Sequence, residues 1–385
     1  MRNITLFDPQ EVRRNLLPLT FTRPVGALRR GMLTIRQKWE AMLPGNYSWA
    51  AADPRLDELW PRTAGDPNTE IFIAGNLVPT PQLAAVIEHF TGGDALYIDD
   101  KLVAYAGKLL RRHNYSGKID IITHITDLFE GNGDALRRDF EIVTAGRTSL
   151  PLDPSCTLIG DPSQLFIEPG ARLTAAVLNT TTGPIYIGKD AEVTEMCCIR
   201  GPFALMEGSR LNLGAHVWPD STVGPHCRVG GEINNVMFQG YSNKAHDGFL
   251  GNAVIGEWCN IGAGCVASNL KNNYAKIRLW NYATESFERT SLQFCGLIMG
   301  DHSKAGINVM FNTATVVGVG CNVYGAGFPR TFIPSFSEGG AITGFKRASL
   351  PRFIDTARTV MDRRHIDLSD ADVRLLEALY ADAEQ

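Results

Sequence analysis

The sequence predicts a parallel β-solenoid, preceded by an α/β domain and followed by two helices. Three observations support this fold class. Aliphatic residues recur at every sixth position over residues 187–229, short apolar runs alternate with helical patterns before residue 150, and two helical patterns follow residue 346. At 385 residues the chain is long enough for two domains. We therefore expect an α/β domain over 1–150, a solenoid over 151–345 and a helical segment over 346–385.

The first 150 residues show no six-residue period. Apolar runs at 71–74 and 119–122 alternate with helical patterns at 33–42 and 81–90. This alternation is typical of an α/β unit with a partly parallel sheet. Ligands of such sheets bind beyond the carboxyl ends of the strands.

Cationic residues follow a proline-containing turn in this region. Arg23 lies in the turn, and Arg29, Arg30 and Lys38 come after it. Arginine binds phosphate through two parallel hydrogen bonds, whereas lysine acts as a point charge. The residues fit either a phosphate site or an ordinary loop with surface arginines, and their spacing does not decide between the two.

The six-residue period is the strongest signal in the chain. An amphipathic helix repeats at three and four residues and a sandwich strand at two, so neither explains it. The residue four positions after each aliphatic one is usually small, as at Ala191 and Ala215. Each hexapeptide is expected to form a short strand and a corner, three of them closing one coil, and stacked coils form the core. The aliphatic series is Ile187, Val193, Ile199, Leu205, Leu211, Val217, Val223 and Val229.

The period returns at 255–265 and 299–323, but it is lost at about 234–249 and 268–298. Breaks in a solenoid predict loops on one face, where functional residues usually lie. Five cysteines occupy the small inward position of a repeat, where a free thiol behaves as a compact hydrophobic group. We expect these to be structural thiols: Cys197, Cys227, Cys259, Cys265 and Cys321.

The last part of the chain predicts two helices, over 350–364 and 369–383. Ser369, with Asp372 three residues later, gives the second helix a capping box. We expect these helices to cover the open end of the solenoid, which would otherwise expose strand edges.

Charge and hydropathy exclude several classes of protein. The formal net charge is −4 and no basic run suggests nucleic-acid binding. The first residues lack the apolar core of a signal peptide, and no stretch of about 18 apolar residues spans a membrane. We expect a soluble, cytoplasmic protein.

Several short motifs point to a known family. Segments 232–235, 244–246, 250–256 and 260–264 read Glu-Ile-Asn-Asn, Lys-Ala-His, Leu-Gly-Asn-Ala-Val-Ile-Gly and Asn-Ile-Gly-Ala-Gly. Leu-Pro-Leu-Thr-Phe-Thr-Arg-Pro at 17–24, Lys-Trp at 38–39, the segment 268–274 and Gly-Asp-His-Ser-Lys at 300–304 accompany them. These motifs resemble the bifunctional UDP-N-acetylglucosamine diphosphorylase/glucosamine-1-phosphate N-acetyltransferases, in their shorter bacterial form.

The resemblance implies a left-handed β-helix, a homotrimer and acetyl-CoA as the acetyl donor. It implies that His246 is the general base, a task that suits an imidazole because its pKa lies near neutral pH. Without the flanking motifs, His246 reads as a surface histidine in a glycine-rich loop. Asn269 would bind the amine or the pantetheine carbonyl, and Ala263 would offer backbone groups to the coenzyme. Other implied substrate residues are Tyr241, Asn243, Lys244, Lys271 and Asn273, and other implied coenzyme residues are Ser268, Asp301 and Lys304.

The chain departs from the family where the acceptor phosphate should bind. Pro-Phe-Ala at 202–204 is followed by Leu-Met-Glu instead of Arg-Leu-Arg, and Asn-Asn at 234–235 replaces a lysine pair. The phosphate therefore needs other partners. Arg200, Arg210 and Arg228 are the candidates.

The amino-terminal domain departs further, because it lacks the Gly-x-Gly-Thr-Arg loop that cradles nucleotide phosphates. Asn76 stands where the family has a metal-binding aspartate, which weakens the case for Mg²⁺ because this ion prefers charged oxygen ligands. Asp99 or Asp100 is a substitute, unless the two form a simple surface pair. By resemblance, the residues that bind nucleotide or phosphate are Leu17, Thr20, Arg23, Arg29, Lys38 and Asn76, and Asn76 is also the metal position.

The sequence therefore predicts N-acetylation of glucosamine-1-phosphate, coupled to uridylyl transfer from UTP with Mg²⁺. One alternative is an acyltransferase for another amino sugar, whose amino-terminal domain only binds nucleotide. Another is a non-catalytic trimeric assembly or regulatory subunit. A zinc hydratase of the γ-carbonic anhydrase type also uses this solenoid, but no His-x4-His pair is present to give two ligands from one coil.

Overall fold

The computed structural model describes residues 2–63, 65–66, 68–108 and 111–383. Its chain contacts define two compact units. The amino-terminal unit contains residues 1–29 and 33–125, and the β-helix unit contains residues 30–32 and 126–385. In the described part of the chain, no helix is long and apolar enough to cross a membrane.

The amino-terminal unit is built on a mixed six-stranded sheet. Its strands are β1 (Arg2–Phe7), β2 (Gly45–Ala50), β3 (Ile71–Ala74), β5 (Asp94–Ile98), β6 (Lys101–Ala106) and β7 (Arg111–Asn114), in the order β2-β1-β3-β6-β5-β7. β1 is parallel to both β2 and β3, whereas β6 is antiparallel to β3 and β5. The partly parallel sheet predicted from the alternating pattern is confirmed.

Short helices and one small ladder complete this unit. The helices are α1 (Gln10–Asn15), α2 (Ile35–Met42) and α3 (Pro81–Glu88), with 3-10 turns at Leu19–Phe21, Val25–Ala27 and Pro54–Leu56, and β4 (Leu77–Val78) pairs with β8 (Asp120–Ile121). Thr34 and Gln37 form a capping box at the start of α2. The side chains of Ile4, Leu6, Ile71 and Ile73 are fully buried in the sheet.

The second unit is a parallel β-helix with three faces, because each coil adds one short strand to each of three ladders. Face 1 contains β9 (Thr157–Ile159), β12 (Val177–Asn179), β15 (Cys198–Arg200), β18 (His216–Val217), β25 (Val266–Ala267) and β30 (Met310–Phe311). Face 2 contains β10 (Leu165–Ile167), β13 (Ile185–Ile187), β16 (Phe203–Leu205), β19 (Ser221–Val223), β28 (Ile298–Met299), β31 (Val316–Val317) and β33 (Phe332–Ile333), after a 3-10 turn at Pro162–Gln164. The long strands β21 (Glu232–Gly240) and β23 (Phe249–Glu257) bend across the corner and belong to both faces.

Face 3 is the ladder that positions the candidate site. It contains β11 (Arg172–Leu173), β14 (Glu192–Val193), β17 (Arg210–Leu211), β20 (Arg228–Val229), β22 (Asn243–Lys244), β24 (Asn260–Ile261), β29 (Lys304–Ala305), β32 (Asn322–Val323), β34 (Ser337–Gly340) and the returning antiparallel strand β35 (Gly344–Arg347).

The predicted inward residues form the core. Leu205 pairs with Val223, and Leu211 pairs with Val229, eighteen residues apart in each case, so three hexapeptides make one coil. All eight aliphatic residues of the uninterrupted series are at most 4% exposed. The five cysteines assigned to inward positions are buried free thiols in the same core.

The first break in the period is not a loop, contrary to our expectation for 234–249. Ile233 pairs with Val217, sixteen residues earlier, and Phe238 pairs with Val223, fifteen residues earlier. The coil is therefore two to three residues shorter than the eighteen-residue coils before it, and its backbone remains in the ladders. A shortened corner changes the phase of the sequence without adding a projecting segment.

The second break is an insertion. Ala267 pairs with Leu250, seventeen residues earlier, but its next partner, Phe311, follows forty-four residues later. The additional residues leave face 1 after β25, form a hairpin of β26 (Arg278–Asn281) and β27 (Ser286–Arg289), and return at β28. Trp280 of the hairpin stacks on Phe332 with ring centroids 4.0 Å apart.

Helices α4 (Asp127–Glu130) and α5 (Asn132–Thr144) pack on face 2. The side-chain amide of Asn132 donates to the carbonyl oxygen of Asp220 at 2.7 Å and contacts Thr222. The outward residues Thr222 and Met237 are fully buried as a result. The part of face 2 formed by β16, β19, β21 and β23 is thus covered by these helices.

The carboxy-terminal helices are α6 (Leu350–Asp362) and α7 (Asp370–Asp382), and Ser369 and Asp372 form the predicted capping box. The expectation that both helices cover the open end of the solenoid is wrong for α6. Arg352 on this helix lines a groove with Lys304 and Asn322 of face 3. Helix α6 buries its apolar residues, Ala357 and Met361, by packing along a face. The open end of the solenoid is narrow and offers less surface for such a helix.

Candidate active site

His246 lies at the corner between face 3 and face 1, directly after β22. Its side chain is exposed and opens onto a groove of about 700 Å³. Neighbouring coils supply the other walls, because the residues that follow β17, β20, β22 and β24 stack at one corner. The lining residues are Arg210, Asn212, Leu213, Gly231, Ala245, His246, Asp247, Ala263 and Gly264.

Lys244 occupies an inward position, although the resemblance implies contact with substrate. It is in register with the buried Val229 and is only 1% exposed. Its Nζ donates to the carbonyl oxygens of Gly230 at 3.0 Å and His246 at 2.8 Å. Burial lowers the pKa of the amine to about 8. Lys244 therefore anchors the backbone of His246 from inside the coil and does not face the groove.

Asn243 and Tyr241 precede His246 in the same coil. Asn243 points outward on face 3, and its Oδ1 accepts a hydrogen bond from Nη2 of Arg364 at 3.0 Å. Tyr241 adopts a left-handed backbone conformation at the corner between faces 2 and 3 and stacks between His226 and Trp258, with centroids 5.0 and 4.3 Å away. Tyr241 thus lies one face-width from His246.

Asn269 is at the opposite edge of face 1 from His246. It follows β25, whereas His246 precedes β23. Its Nδ2 donates to Oδ1 of Asn252 at 2.8 Å, which fixes the amide on the neighbouring coil. Lys271 and Asn273 lie just beyond it, in the first turn of the insertion. Within one chain, the structure does not bring these three residues together with His246.

The residues that the resemblance implies for coenzyme binding also lie in different places, some near His246 and some away from it. Ala263 lines the groove beside His246. Ser268 bonds to Thr313 and to the carbonyl oxygen of Leu270 within the coil. Lys304 lines the groove between face 3 and α6.

Asp301 is only 2% exposed, and its Oδ1 accepts the backbone N–H of Glu257 at 2.8 Å. A carboxylate that is buried and hydrogen-bonded in this way is a structural group. A role of Asp301 in binding acetyl-CoA stays a prediction, and its side chain does not face the groove of His246.

In the amino-terminal unit, all six predicted nucleotide residues are withdrawn from solvent. None is more than 9% exposed: Leu17, Thr20, Arg23, Arg29, Lys38 and Asn76. Thr20 donates its hydroxyl to the carbonyl oxygen of Arg13 at 2.7 Å. The structure thus places these side chains inside the unit, and their predicted contact with nucleotide or phosphate stays a prediction.

Asn76 does not fit a magnesium site. Its Nδ2 donates to the carbonyl oxygen of Ile122 at 2.9 Å, so the neutral amide already ties β4 to β8. Asp99 and Asp100 are exposed in a turn with positive φ, and Asp100 pairs with Arg112. Among the residues that the structure describes, no three His, Cys, Asp or Glu side chains are grouped to hold a metal.

Three groups near the candidate site were not predicted. Asn212 lines the groove two coils before His246 and donates its Nδ2 to the carbonyl oxygen of Ala245 at 2.7 Å. Asn252 holds Asn269, and Arg364 reaches Asn243 from beyond α6. The six-residue register places Asn212 near this corner, whereas no local pattern could have identified Arg364.

Comparisons with known proteins match parts of the chain. Residues 4–148 match the family model described as sugar nucleotidyl transferase. The bifunctional protein GlmU of Trichodesmium erythraeum is 36% identical over 86 residues, which cover 22% of this chain and 18% of that protein. GlmU of Micrococcus luteus is 24% identical over 197 residues, which cover 48% of this chain and 36% of that protein. The alignments thus span less than two fifths of the length of these two relatives.

A solved structure titled as an Arabidopsis UDP-N-acetylglucosamine acyltransferase matches 56% of this chain and 77% of its own, at 13% identity and a TM-score of 0.24. That similarity is too low to bear on function. Residues 4–148 thus match the sugar nucleotidyl transferase family, and part of the chain is similar to GlmU.

Proposed function

We propose that the β-helix unit transfers the acetyl group of acetyl-CoA to the amine of an amino-sugar phosphate, with glucosamine-1-phosphate as the acceptor. The observation that carries this proposal is the exposed imidazole of His246 in a groove whose walls include the cationic Arg210 and the amide of Asn212. The similarity to GlmU supports the same class of reaction.

In the proposed reaction, His246 accepts a proton from the attacking amine. The nitrogen forms a bond to the thioester carbonyl carbon, the carbon–sulfur bond breaks, and the protonated imidazole returns the proton to the thiolate of coenzyme A. A positioned base of this kind contributes about 10²–10⁴ in rate. The Lys244 hydrogen bond to the carbonyl oxygen of His246 holds the backbone of the base in place.

We also propose that a second copy of the chain completes the site. His246 and Asn269 lie at opposite edges of face 1, so in a homotrimer one chain can supply the base and its neighbour the amide. This arrangement gives a role to Asn269, whose amide is already oriented by Asn252.

The amino-terminal unit supports a second candidate function, uridylyl transfer from UTP to the acetylated sugar phosphate, on the strength of the family match over residues 4–148. The position of Asn76 does not fit Mg²⁺, so no catalytic step is assigned to that residue. Release of pyrophosphate from UTP and N-acetylglucosamine-1-phosphate, with Mg²⁺ supplied, tests this function. Binding of UTP without pyrophosphate release would instead favour a nucleotide-binding domain.

The first prediction concerns the general base. His246→Ala should lower kcat for acetyl transfer by about 10²–10⁴, with little change in KM for acetyl-CoA. His216→Ala is a matched control, because His216 is also an exposed histidine on a coil but lies outside the groove. Steady-state release of free coenzyme A measures both variants. Near-wild-type activity of His246→Ala would refute the assignment.

The alternatives differ from the proposal in measurable ways. An acyltransferase for another amino sugar would release coenzyme A with a different member of an acceptor panel. A non-catalytic assembly subunit would not bind coenzyme A at all.

A further inference from the structure

Face 3 carries a row of cationic and amide side chains beside the His246 groove. Arg210, Arg228 and Asn243 are in register on successive coils, so their outward side chains stack along the face. The segment after α6 adds Arg364 to this row, since Arg364 bonds to Asn243. Arg210 also lines the His246 groove, which makes the row and the groove continuous.

The guanidinium of Arg228 is oriented so that one edge is available. Its Nη1 donates to the carbonyl oxygens of Gly208 at 2.7 Å and Cys227 at 3.0 Å. These bonds leave Nε and Nη2, which lie on one edge of the planar group. A phosphate binds such an edge with two parallel hydrogen bonds.

Arg364 brings a second guanidinium to the same place. Its Nη2 donates to Asn243, but its Nε is buried without an acceptor. A buried donor without a partner is unfavourable, and such groups are rare in folded proteins. An oxygen atom of a bound anion would satisfy it.

Neither of these two arginines forms an ion pair in the described part of the chain, although they are close to each other. Burial first, and then the nearby charges of Arg364 and Arg210, lower the pKa of Arg228. Two adjacent cations without a carboxylate between them are stabilised by a bound anion.

The other candidates from the sequence have partners already. Arg210 pairs with Glu192 at 3.1 Å. Arg200 lies on face 1, where its guanidinium is 5.8 Å from the ring centroid of Trp218. Arg228 and Arg364 have no such direct partner in the described part of the chain, although Glu192 acts on Arg228 from a distance.

We propose that Arg228, Arg364 and Asn243 form a binding site for a phosphate group, next to the groove that contains His246. This inference rests on the proposed function for the origin of the phosphate, which belongs either to the acceptor sugar or to coenzyme A. Two guanidinium groups balance the two negative charges of a phosphomonoester near neutral pH. If the phosphate belongs to the acceptor sugar, the site replaces the arginine and the lysine pair that the family motifs would have supplied.

The experiment compares Arg228→Gln and Arg364→Gln with wild type by isothermal titration, without turnover. The probes are inorganic phosphate, glucosamine-1-phosphate against glucosamine, and coenzyme A against pantetheine. Arg363→Gln is the control for Arg364, and Arg172→Gln, on the same face, is the control for Arg228. Thermal unfolding of each variant checks that it folds. If Arg228→Gln destabilises the coil because the hydrogen bonds of Arg228 are lost, Arg364→Gln alone still tests the proposal.

We expect both variants to bind inorganic phosphate at least about tenfold more weakly, since each loses a charge-assisted hydrogen bond. A parallel loss for glucosamine-1-phosphate, with glucosamine unaffected, assigns the site to the sugar phosphate. A loss for coenzyme A, with pantetheine unaffected, assigns it to the coenzyme. Folded variants that bind every probe as tightly as the two controls would overturn the proposal. Absence of acetyl transfer by the wild type would refute the proposed function without changing these binding results.

Discussion

At the scale of single residues, Lys244 shows how the coil supports the candidate base. A lysine occupies a position where the preceding coil has Val229, and its amine bonds to two backbone carbonyl oxygens, one of them that of His246. Burial disfavours the charged form, so the pKa of the amine falls to about 8. The burial of this amine therefore costs stability at neutral pH, while its hydrogen bonds fix the backbone at the corner that contains His246.

Replacement of this lysine should change the dependence of stability on pH. The pKa of Lys244 is lower in the folded protein than in the unfolded chain, so the unfolded state binds more protons between about pH 8 and 10.5. Over that range the free energy of unfolding of wild type should rise relative to Lys244→Met by on the order of 2–3 kcal/mol. Urea unfolding at several pH values measures the difference. A difference between the two proteins that is independent of pH would contradict the lowered pKa.

At the scale of elements, the insertion after β25 is held to the β-helix by stacked aromatic rings. Trp280 stacks on Phe332 of face 2 at 4.0 Å and meets Phe287 edge-on at 5.3 Å. Asn269 and Lys271 begin the insertion, so its attachment influences their positions. The insertion is thus an ordered element and not a free loop.

Trp280→Ala should loosen the insertion while leaving the coils intact. Because the ring is only partly buried, we expect a loss of roughly 2 kcal/mol, below the cost of about 3–5 kcal/mol for a fully buried tryptophan. Amide hydrogen exchange should become faster over residues 268–297 and remain unchanged over 310–323. Tyr274→Ala is the control, because Tyr274 is 67% exposed. Equal exchange in both variants would show that the stacking does not hold the insertion.

At the scale of the whole molecule, the separation of His246 and Asn269 across face 1 requires a second copy if both act on one substrate. Face 1 also exposes apolar side chains: Ile159, Val177 and Val266 on its strands are 45%, 36% and 37% exposed, and Trp218, directly after β18, is 44% exposed. Closed symmetric assembly is the usual state of soluble oligomers.

Mixed oligomers test whether the site is shared. His246→Ala and Asn269→Ala should each be defective alone. When the two variants are refolded together in equal amounts, activity should return at about a quarter of the sites. Random assembly places an intact His246 next to an intact Asn269 of a neighbouring chain in that fraction of the sites. Coenzyme A release before and after mixing gives the result. No recovery in mixed trimers, with assembly verified by light scattering, would place both residues outside a shared site.

Much of the β-helix could be predicted because its inward positions repeat with a fixed period, as from Ile187 to Val229. The inward position of Lys244 could not be predicted, because a shortened corner changes the phase of the repeat just before this residue. Arg364 was missed because its contact with Asn243 depends on how α6 packs, which no local pattern encodes. Lys38 was predicted to bind phosphate by resemblance, and nothing in the local sequence indicated that it would be only 3% exposed, because charged residues are usually exposed.

The most direct test of the central claim is release of free coenzyme A by the purified full chain, supplied with acetyl-CoA and glucosamine-1-phosphate. We expect release that depends on the acceptor, is weaker with glucosamine and is lost in His246→Ala. Following pyrophosphate in the same reaction with UTP and Mg²⁺ reports separately on the amino-terminal unit. Absence of coenzyme A release with glucosamine-1-phosphate and with every other amino sugar of a panel would contradict the account.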